Sequence, residues 1–365
     1  MAIDRIFKPY ILNSGGYKGG LAAKASDRKI YKLSSNENYF GTSPKVHEAI
    51  KERLHFSNIY PSGNPAPLYQ ALADFYEGQL NPYEHFIAGN SGSELIQLIC
   101  RAVLQPGDEC ILSTPCFAPY SMFASWSGAK IIDIPLQTPE FSLDVSGIIQ
   151  HISDRTRIIF LTSPNNPTGT CIQKSELEEI LEHIPDHVVI LFDEVYYQYP
   201  DNQHRITALP YALEGANIVG LNSFSKAYGM ASMRLGYAYS NPTLIHYFQK
   251  LIRPFLINDL SLHGGIAALQ DQSFLKAGVK EVQVQRDILF KGLQGLGLEC
   301  WPSQANFVLV RVEEDDQEFA AEMAQNGVMV RPTYNFGAPG CIRITVGDAE
   351  ATQATLTAIA TILTK

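Results

Sequence analysis

Short, unbroken apolar runs alternate with helix-spaced segments through the middle of this chain, and few folds accept that pattern. "HFIAGN" precedes "SELIQLICRAVL", "ECILSTP" precedes "YSMFASWSG", and "RIIFLTSP" precedes "SELEEILEHI"; "VVILFDEVY" and "IVGLNSFSK" follow. Strands that are apolar without alternation are covered on both faces. Strand then helix, repeated, predicts an α/β fold with a mostly parallel central sheet flanked by helices. The patterns do not dictate the strand order.

The flanks read differently. The first 45 residues are rich in Gly, Lys and Asn ("LNSGGYKGGLAAKASDRK", "LSSNENYFGTSP") and predict an extended arm with turns. "SPKVHEAIKERL" opens on a cap-like Ser-Pro pair and spaces Val46, Ile50 and Leu54 as a helix does, and "PLYQALADFYEGQL" repeats that pattern. A long helical stretch is expected over roughly 242–272. Beyond it, "NFVLVRV", "DQEFAAEMAQNG", "VMVRPT", "CIRITVG" and a final helix at 349–363 suit a smaller α+β domain. The expected division is therefore a large domain over 46–250, with residues 1–45 and 251–365 forming the N-terminal arm and the small domain.

Composition narrows the partners. A chain of 365 residues with 45% hydrophobic content has ample material for a large core. A net charge of −9 argues against nucleic acid and anionic membrane surfaces. The six cysteines, Cys100, Cys110, Cys116, Cys171, Cys300 and Cys341, form no CxxC pair, so neither a metal nor a disulfide framework is expected. Reduced thiols, no apolar core for a signal peptide after Met1 and no apolar run of about 18 residues predict a cytoplasmic protein.

The unusual polar motifs all fall after apolar runs, where open α/β sheets bind ligands. "GNSGSEL" follows "FIA"; read alone it is either a Ser-capped helix after a Gly turn or a cradle whose free N–H groups face an anion. "SPNNPTG" follows "RIIFLT" and reads as a loop or as a rigid turn that aims an amide. Asp193 ends the run "VVILF", where a carboxylate is costly unless it serves a structural ion pair or holds a bound cation. Lys226, in "SFSKAYGMASM", has small, hydroxylated and apolar neighbours. A lysine drawn out of water has a lowered pKa and is a usable nucleophile toward an aldehyde. An anion cradle, a carboxylate, an amide, such a lysine and the nearby Arg234 match what pyridoxal phosphate requires: a phosphate, an aldehyde, a phenolate O3′ and a ring nitrogen.

With these motifs in order, "LSSNENYFGTSP", "YPSG", "GNSGSEL", "SPNNPTG", "DEVY", "SFSKAYGMASMRLGY" and "RITVG", the chain resembles the fold-type I pyridoxal-phosphate aminotransferases, and among them the histidinol-phosphate aminotransferases. The resemblance runs from "KPY" to "CIRITVG". It implies that Lys226 is the Schiff-base lysine and later moves a proton. Asp193 would pair with the ring nitrogen, and Tyr196 and Asn166 would bond O3′. Gly92 and Ser93 would offer N–H groups to the phosphate, helped by Ser223, Ser225 and Arg234. Phe117 would stack on the ring, and Tyr60 would reach the phosphate of a neighbouring subunit in a homodimer. Arg343 would clamp the substrate carboxylate and Arg331 a distal phosphate, with Asn36 and Asn166 also touching substrate. The reaction implied is histidinol-phosphate:2-oxoglutarate transamination in histidine biosynthesis. The alternatives are an aromatic amino-acid aminotransferase, a phosphothreonine-type decarboxylase and a non-catalytic pyridoxal-phosphate sensor.

Overall fold

A computed structural model describes residues 2–13, 29–312 and 315–364 of the chain. Of the extended arm expected over the first 45 residues, 14–28 lie outside the described residues, while Ala2–Ile6 and Pro9–Leu12 form short helical turns instead of extended chain.

In chain order the strands are β1 (Tyr31–Lys32), β2 (Phe86–Gly89), β3 (Glu109–Leu112), β4 (Lys130–Asp133), β5 (Thr156–Thr162), β6 (Val189–Asp193), β7 (Ile218–Ser223), β8 (Gly236–Tyr239), β9 (Phe307–Arg311), β10 (Val328–Met329), β11 (Arg331–Pro332) and β12 (Cys341–Thr345). The seven-stranded central sheet has the order β2-β8-β7-β6-β5-β3-β4. Neighbours from β7 to β4 pair in parallel, while β8 runs antiparallel to both β7 and β2. The mostly parallel sheet flanked by helices matches the sequence expectation.

The unbroken apolar runs have the reason expected of them. Successive side chains point to opposite faces of a strand. In β5, Ile159 and Leu161 join one apolar core while Ile158 and Phe160 join the other. In β6, Ile190 and Phe192 divide from Val189 and Leu191 in the same way. Each such side chain contributes about 1.5–3 kcal/mol when fully buried, so a polar residue inside these runs would be selected against on both faces. The polar residues come at the strand ends instead. Thr162 and Asp193 are in register, and both continue the row that runs through Phe160 and Leu191.

That same face carries the helix Gly92–Val103, which buries Leu95, Ile96 and Ile99 against it. Ser91 caps this helix, accepting from the Glu94 N–H at 3.3 Å. Ser43 likewise caps the helix Pro44–Arg53, as its Ser-Pro opening predicts.

The stretch 242–272 is not one helix. It divides into Pro242–Gln249 and Asp259–Gln270. Pro254 lies in the break, lacks an N–H and disfavours helical backbone before it. Asn258 then restarts the helix, its side chain accepting from the Ser261 N–H at 2.8 Å. A 24-residue helix, Gln272–Gly295, follows and was not anticipated. Its one buried stripe runs through Leu275, Val282, Leu289 and Leu293, diluted by polar residues on the other faces.

The C-terminal strands form a separate antiparallel sheet of order β11-β12-β9, against which the helices Gln272–Gly295 and Asp316–Gln325 pack, with the helix Ala349–Leu363 lying against those two helices. The segment near residue 31 is stitched into this region. β1 pairs in parallel with β10, and the Thr345 N–H donates to the Leu33 carbonyl at 2.8 Å.

Candidate active site

A cavity of about 440 Å³ opens over the carboxyl ends of β5, β6 and β7. It is lined by Asn36, Gly92, Ser93, Phe117, Asn166, Asp193, Tyr196, Ser223, Ser225, Lys226, Arg234, Arg331 and Arg343. The residues picked out from sequence thus converge on one place, with a single exception. Tyr60 lies outside the cavity, 80% exposed and stacked on Phe255 with 4.9 Å between ring centroids.

Lys226 follows β7 on the turn "SKAYG", where Gly229 takes a left-handed φ of +69°. A Cβ at Gly229 would stand 2.1 Å from the Gly41 carbonyl oxygen, so the turn needs glycine for space as well as for φ. The Lys226 amine donates to the Ser35 carbonyl at 3.1 Å and lies 5.8 Å from the centroid of the Tyr196 ring. Burial first, then the charges of Arg343 and Arg234, push this amine down to about 7 from an ordinary 10.5, with Glu37 and Asp193 opposing. A large fraction is neutral at physiological pH, as a nucleophile or proton acceptor requires.

Asp193 is buried at the end of β6. Its Oδ1 accepts from the Val195 N–H at 3.0 Å and its Oδ2 from the Tyr120 hydroxyl at 2.6 Å. Burial raises the carboxyl from 3.8 to about 6, against the lowering effect of these bonds and of Lys226. Its hydrogen bonds come from a hydroxyl and a backbone amide, while its carboxylate faces a cavity large enough for an organic cation.

Gly92 and Ser93, whose N–H groups have no acceptor inside the helix Gly92–Val103, line the cavity. Ser91 sits before them at a φ of 113°. Gly236, paired with both Ser223 and Gly89, lies directly against this turn. A Cβ at Gly236 would meet the Gly92 nitrogen at 2.5 Å and block the cradle. Ser223 lies beside Gly92, where an added Cβ would stand 3.9 Å from the Ser223 Cβ, and Ser225 also lines the cavity. Arg234, in a left-handed conformation, donates to the Ala231 carbonyl at 3.0 Å.

The "SPNNPTG" loop divides its two amides. Asn165 holds the loop together, donating to the Pro115 carbonyl and the Thr168 hydroxyl, each at 2.9 Å. Asn166 faces the cavity and accepts from Arg343 Nη1. Arg343 also donates to the Ser34 carbonyl at 3.0 Å, and its guanidinium lies 5.4 Å from the ring centroids of Phe307 and Phe336. Arg331 is the cross-strand partner of Arg343, is likewise buried, and stacks on Phe336 at 5.2 Å. Asn36 donates to the Tyr196 hydroxyl at 2.9 Å and is tied to Thr345 through its backbone N–H.

Several lining groups escaped the sequence reading. Tyr120 and Thr162 stand behind Asp193, Phe336 lies under the two arginines, and Ser34, Ser35 and Glu37 belong to the roof. Tyr120 shares the string "TPCFAPY" with Phe117, but nothing local says that it turns toward a strand end rather than the core.

Pyridoxal phosphate fits this donor set. It has an anion for the backbone cradle, an aldehyde for a near-neutral amine, and a basic ring nitrogen for a buried carboxylate. An open α/β sheet with a depressed-pKa lysine and an anion cradle at its carboxyl edge defines a class of enzyme that works through a covalently held anionic cofactor.

Residues 28–363 match the aminotransferase class I and II family. The chain belongs to that family and is an aminotransferase. It is 34% identical over 361 residues to a histidinol-phosphate aminotransferase of Halalkalibacterium halodurans, covering 98% of this chain and 96% of that one. Among solved structures, a protein of Erwinia carotovora described as a putative histidinol-phosphate aminotransferase superposes with a TM-score of 0.85 at 25% identity, covering 92% of this chain and 96% of that one. The histidinol-phosphate aminotransferase of Sinorhizobium meliloti, solved in complex with pyridoxal-5'-phosphate, shares the fold with a TM-score of 0.83 at 23% identity, covering 98% and 97% of the two chains.

Proposed function

We propose that this chain uses pyridoxal phosphate to exchange an amino group between glutamate and imidazole-acetol phosphate, the histidinol-phosphate:2-oxoglutarate reaction of histidine biosynthesis. The observation that carries the substrate reading is the placement of Arg331 and Arg343 directly opposite one another on β11 and β12, both buried at one cavity wall. Like charges opposed across two strands repel. Such a pair is tolerated where anionic ligands occupy the site, and both proposed substrates are anionic. The names of the curated relatives point the same way.

The cofactor, when bound, supplies a carbonyl carbon to hold the amino group and a ring that draws electrons from it. The side chains do the rest. Lys226 would hold the cofactor through its amine, and when free its near-neutral amine would take and return the proton at the substrate carbon. Asp193 keeps the ring nitrogen protonated by offering a carboxylate away from water. Tyr196 and Asn166 would hydrogen-bond the cofactor's O3′, and Phe117 would cover a ring face. The N–H groups of Gly92 and Ser93, the hydroxyls of Ser223 and Ser225, and Arg234 hold the phosphate. Arg343 grips the glutamate carboxylate and Arg331 the distal phosphate, with Asn36 and Asn166 completing the substrate wall. Each charge-assisted bond is worth about 1.5–3 kcal/mol.

A homodimer in the cytoplasm goes with this reading. The stretch Leu54, Phe56, Ile59 and Tyr60 leaves large apolar side chains exposed, and Phe255 beside Tyr60 is 48% exposed. An exposed apolar patch of this kind marks an interface, and Tyr60 would enter a second copy's phosphate site from it. The proposed division into a large domain over 46–250 and a smaller one from 1–45 and 251–365 is supported by the cavity drawing Asp193 and Lys226 from the first stretch and Asn36, Arg331 and Arg343 from the second.

The purified protein, assayed with glutamate against imidazole-acetol phosphate and phenylpyruvate, tests the substrate. The phosphate ester should give the higher kcat/KM. A wide excess for phenylpyruvate contradicts the proposal and points to an aromatic amino-acid aminotransferase.

A further inference from the structure

Behind Asp193 the structure holds a chain of hydroxyls that no role given above absorbs. The Tyr120 hydroxyl donates to Asp193 Oδ2 at 2.6 Å and lies 2.9 Å from Thr162 Oγ1. A phenol has one proton. With that proton on Asp193, the Thr162 hydroxyl must be the donor to Tyr120. The direction is therefore fixed as Thr162 to Tyr120 to Asp193, and each bond in such a chain polarises the next.

The geometry is held from several sides. Tyr120 is 1% exposed, its ring is stacked on Phe160 with centroids 5.0 Å apart, and Phe117 meets it edge-on at 5.5 Å. Phe160 and Thr162 share a face of β5, and Thr162 is the in-register partner of Asp193 on β6. The ring is thus clamped by one residue of β5 and its hydroxyl is bonded by the next residue on that face. The titratable groups facing the Asp193 carboxyl are Tyr120 and Lys226; Cys116 bears on the Tyr120 phenol. Burial and the adjacent carboxylate raise the Tyr120 phenol well above its ordinary value, so it remains a neutral donor throughout the working pH range.

We propose that Tyr120, backed by Thr162, is a positioning residue that aims Asp193 Oδ2 and keeps the carboxyl ionised for the bound ring nitrogen. The inference rests on the pyridoxal-phosphate reading of the cavity. A fully buried carboxylate oxygen deprived of its hydroxyl donor is the more readily protonated, and a protonated Asp193 cannot serve a ring cation.

The test measures the dissociation constant of pyridoxal phosphate by fluorescence across a pH series. It compares the parent protein, Tyr120→Phe, Thr162→Val and Asp193→Asn, with thermal unfolding recorded alongside. Tyr120→Phe keeps the ring and its packing. It should move the acid limb of binding to higher pH by about one pKa unit, which weakens cofactor binding by about tenfold on that limb and by only about twofold at neutral pH. Thr162→Val should shift both in the same direction by less, and the double variant should be no worse than Tyr120→Phe by more than that smaller step. If Asp193→Asn weakens binding while Tyr120→Phe leaves affinity and acid limb unchanged, the proposal is overturned and the cofactor reading stands. A Tyr120→Phe protein that only melts earlier, with its acid limb unmoved, also overturns it, because packing alone does not shift a titration. If Asp193→Asn binds as the parent does, the cofactor reading itself fails.

Discussion

Asp193, Ser223 and Lys226 reach the cavity from the ends of neighbouring strands of one sheet, whereas Asn36, Arg331 and Arg343 reach it from segments that meet only by long-range pairing. Asn36 and Thr345, bonded at 2.9 Å, are 309 residues apart in sequence. The floor is rigid by construction, because Asp193 and Ser223 end buried strands of a two-faced core and Lys226 follows on the tight turn after the second of them. The roof is assembled from a short parallel pairing of β1 with β10, an antiparallel pairing of β11 with β12, and single bonds from Arg343 and Lys226 to the carbonyls of Ser34 and Ser35. Chemistry common to every substrate belongs on a floor of that kind. Discrimination between substrates belongs on the roof, where a residue can change without unsettling the sheet.

Variants can break that division. The largest effect is expected on the floor. On the proposed function Lys226→Ala removes the amine that would hold the cofactor and move the proton, so both half-reactions should fall together by at least about 10⁴-fold, the upper range for a general acid–base group. Single-turnover assays of each half-reaction check this. Retention of one half-reaction would show that the floor is not shared.

A second floor prediction concerns stability. The Lys226 amine titrates near 10.5 in an unfolded chain and near 7 in the folded one. Between those values the unfolded chain holds a proton that the folded chain lacks, so through this group stability rises with pH from about 7 to about 10.5. Below about 7 both states are protonated and the full burial cost is felt. Cofactor-free Lys226→Met should therefore be more stable than the cofactor-free parent near pH 7, by on the order of a few kcal/mol. The difference should shrink as the pH approaches about 10. Urea unfolding across that range measures it.

Roof variants should be smaller and selective. Arg343→Ala should raise KM for glutamate by about ten- to a hundredfold, from the loss of one charge-assisted pairing, and change the phosphate substrate less. Arg331→Ala should do the reverse. Parallel KM measurements on the two substrates decide whether the arginines divide the anions. Equal losses on both substrates from either variant would make the roof a single anion site.

This contrast also governs what could be read before the fold was known. "VVILFD" announces Asp193 because an apolar strand must stop where a carboxylate appears, and "SFSK" announces Lys226 because its neighbours cannot solvate a surface amine. The cradle at Gly92 and Ser93 was legible for a similar reason: small residues at a helix start leave N–H groups free. The opposition of Arg331 and Arg343 was not legible, since register between β11 and β12 depends on the turn through Gly337 and Gly340 and on the packing beneath them. Tyr120 escaped notice because its partner is a strand end distant in sequence, and an aromatic near "FAP" reads equally as core. The break at Pro254 was hidden by helical apolar spacing on both sides of it.

The central claim is that Lys226 is the residue that holds the cofactor covalently. Protein incubated with pyridoxal phosphate, reduced with borohydride and digested should carry the pyridoxyl mass on the peptide containing Lys226, in proportion to the activity lost. A label on another lysine, or none while transamination persists, would contradict the account.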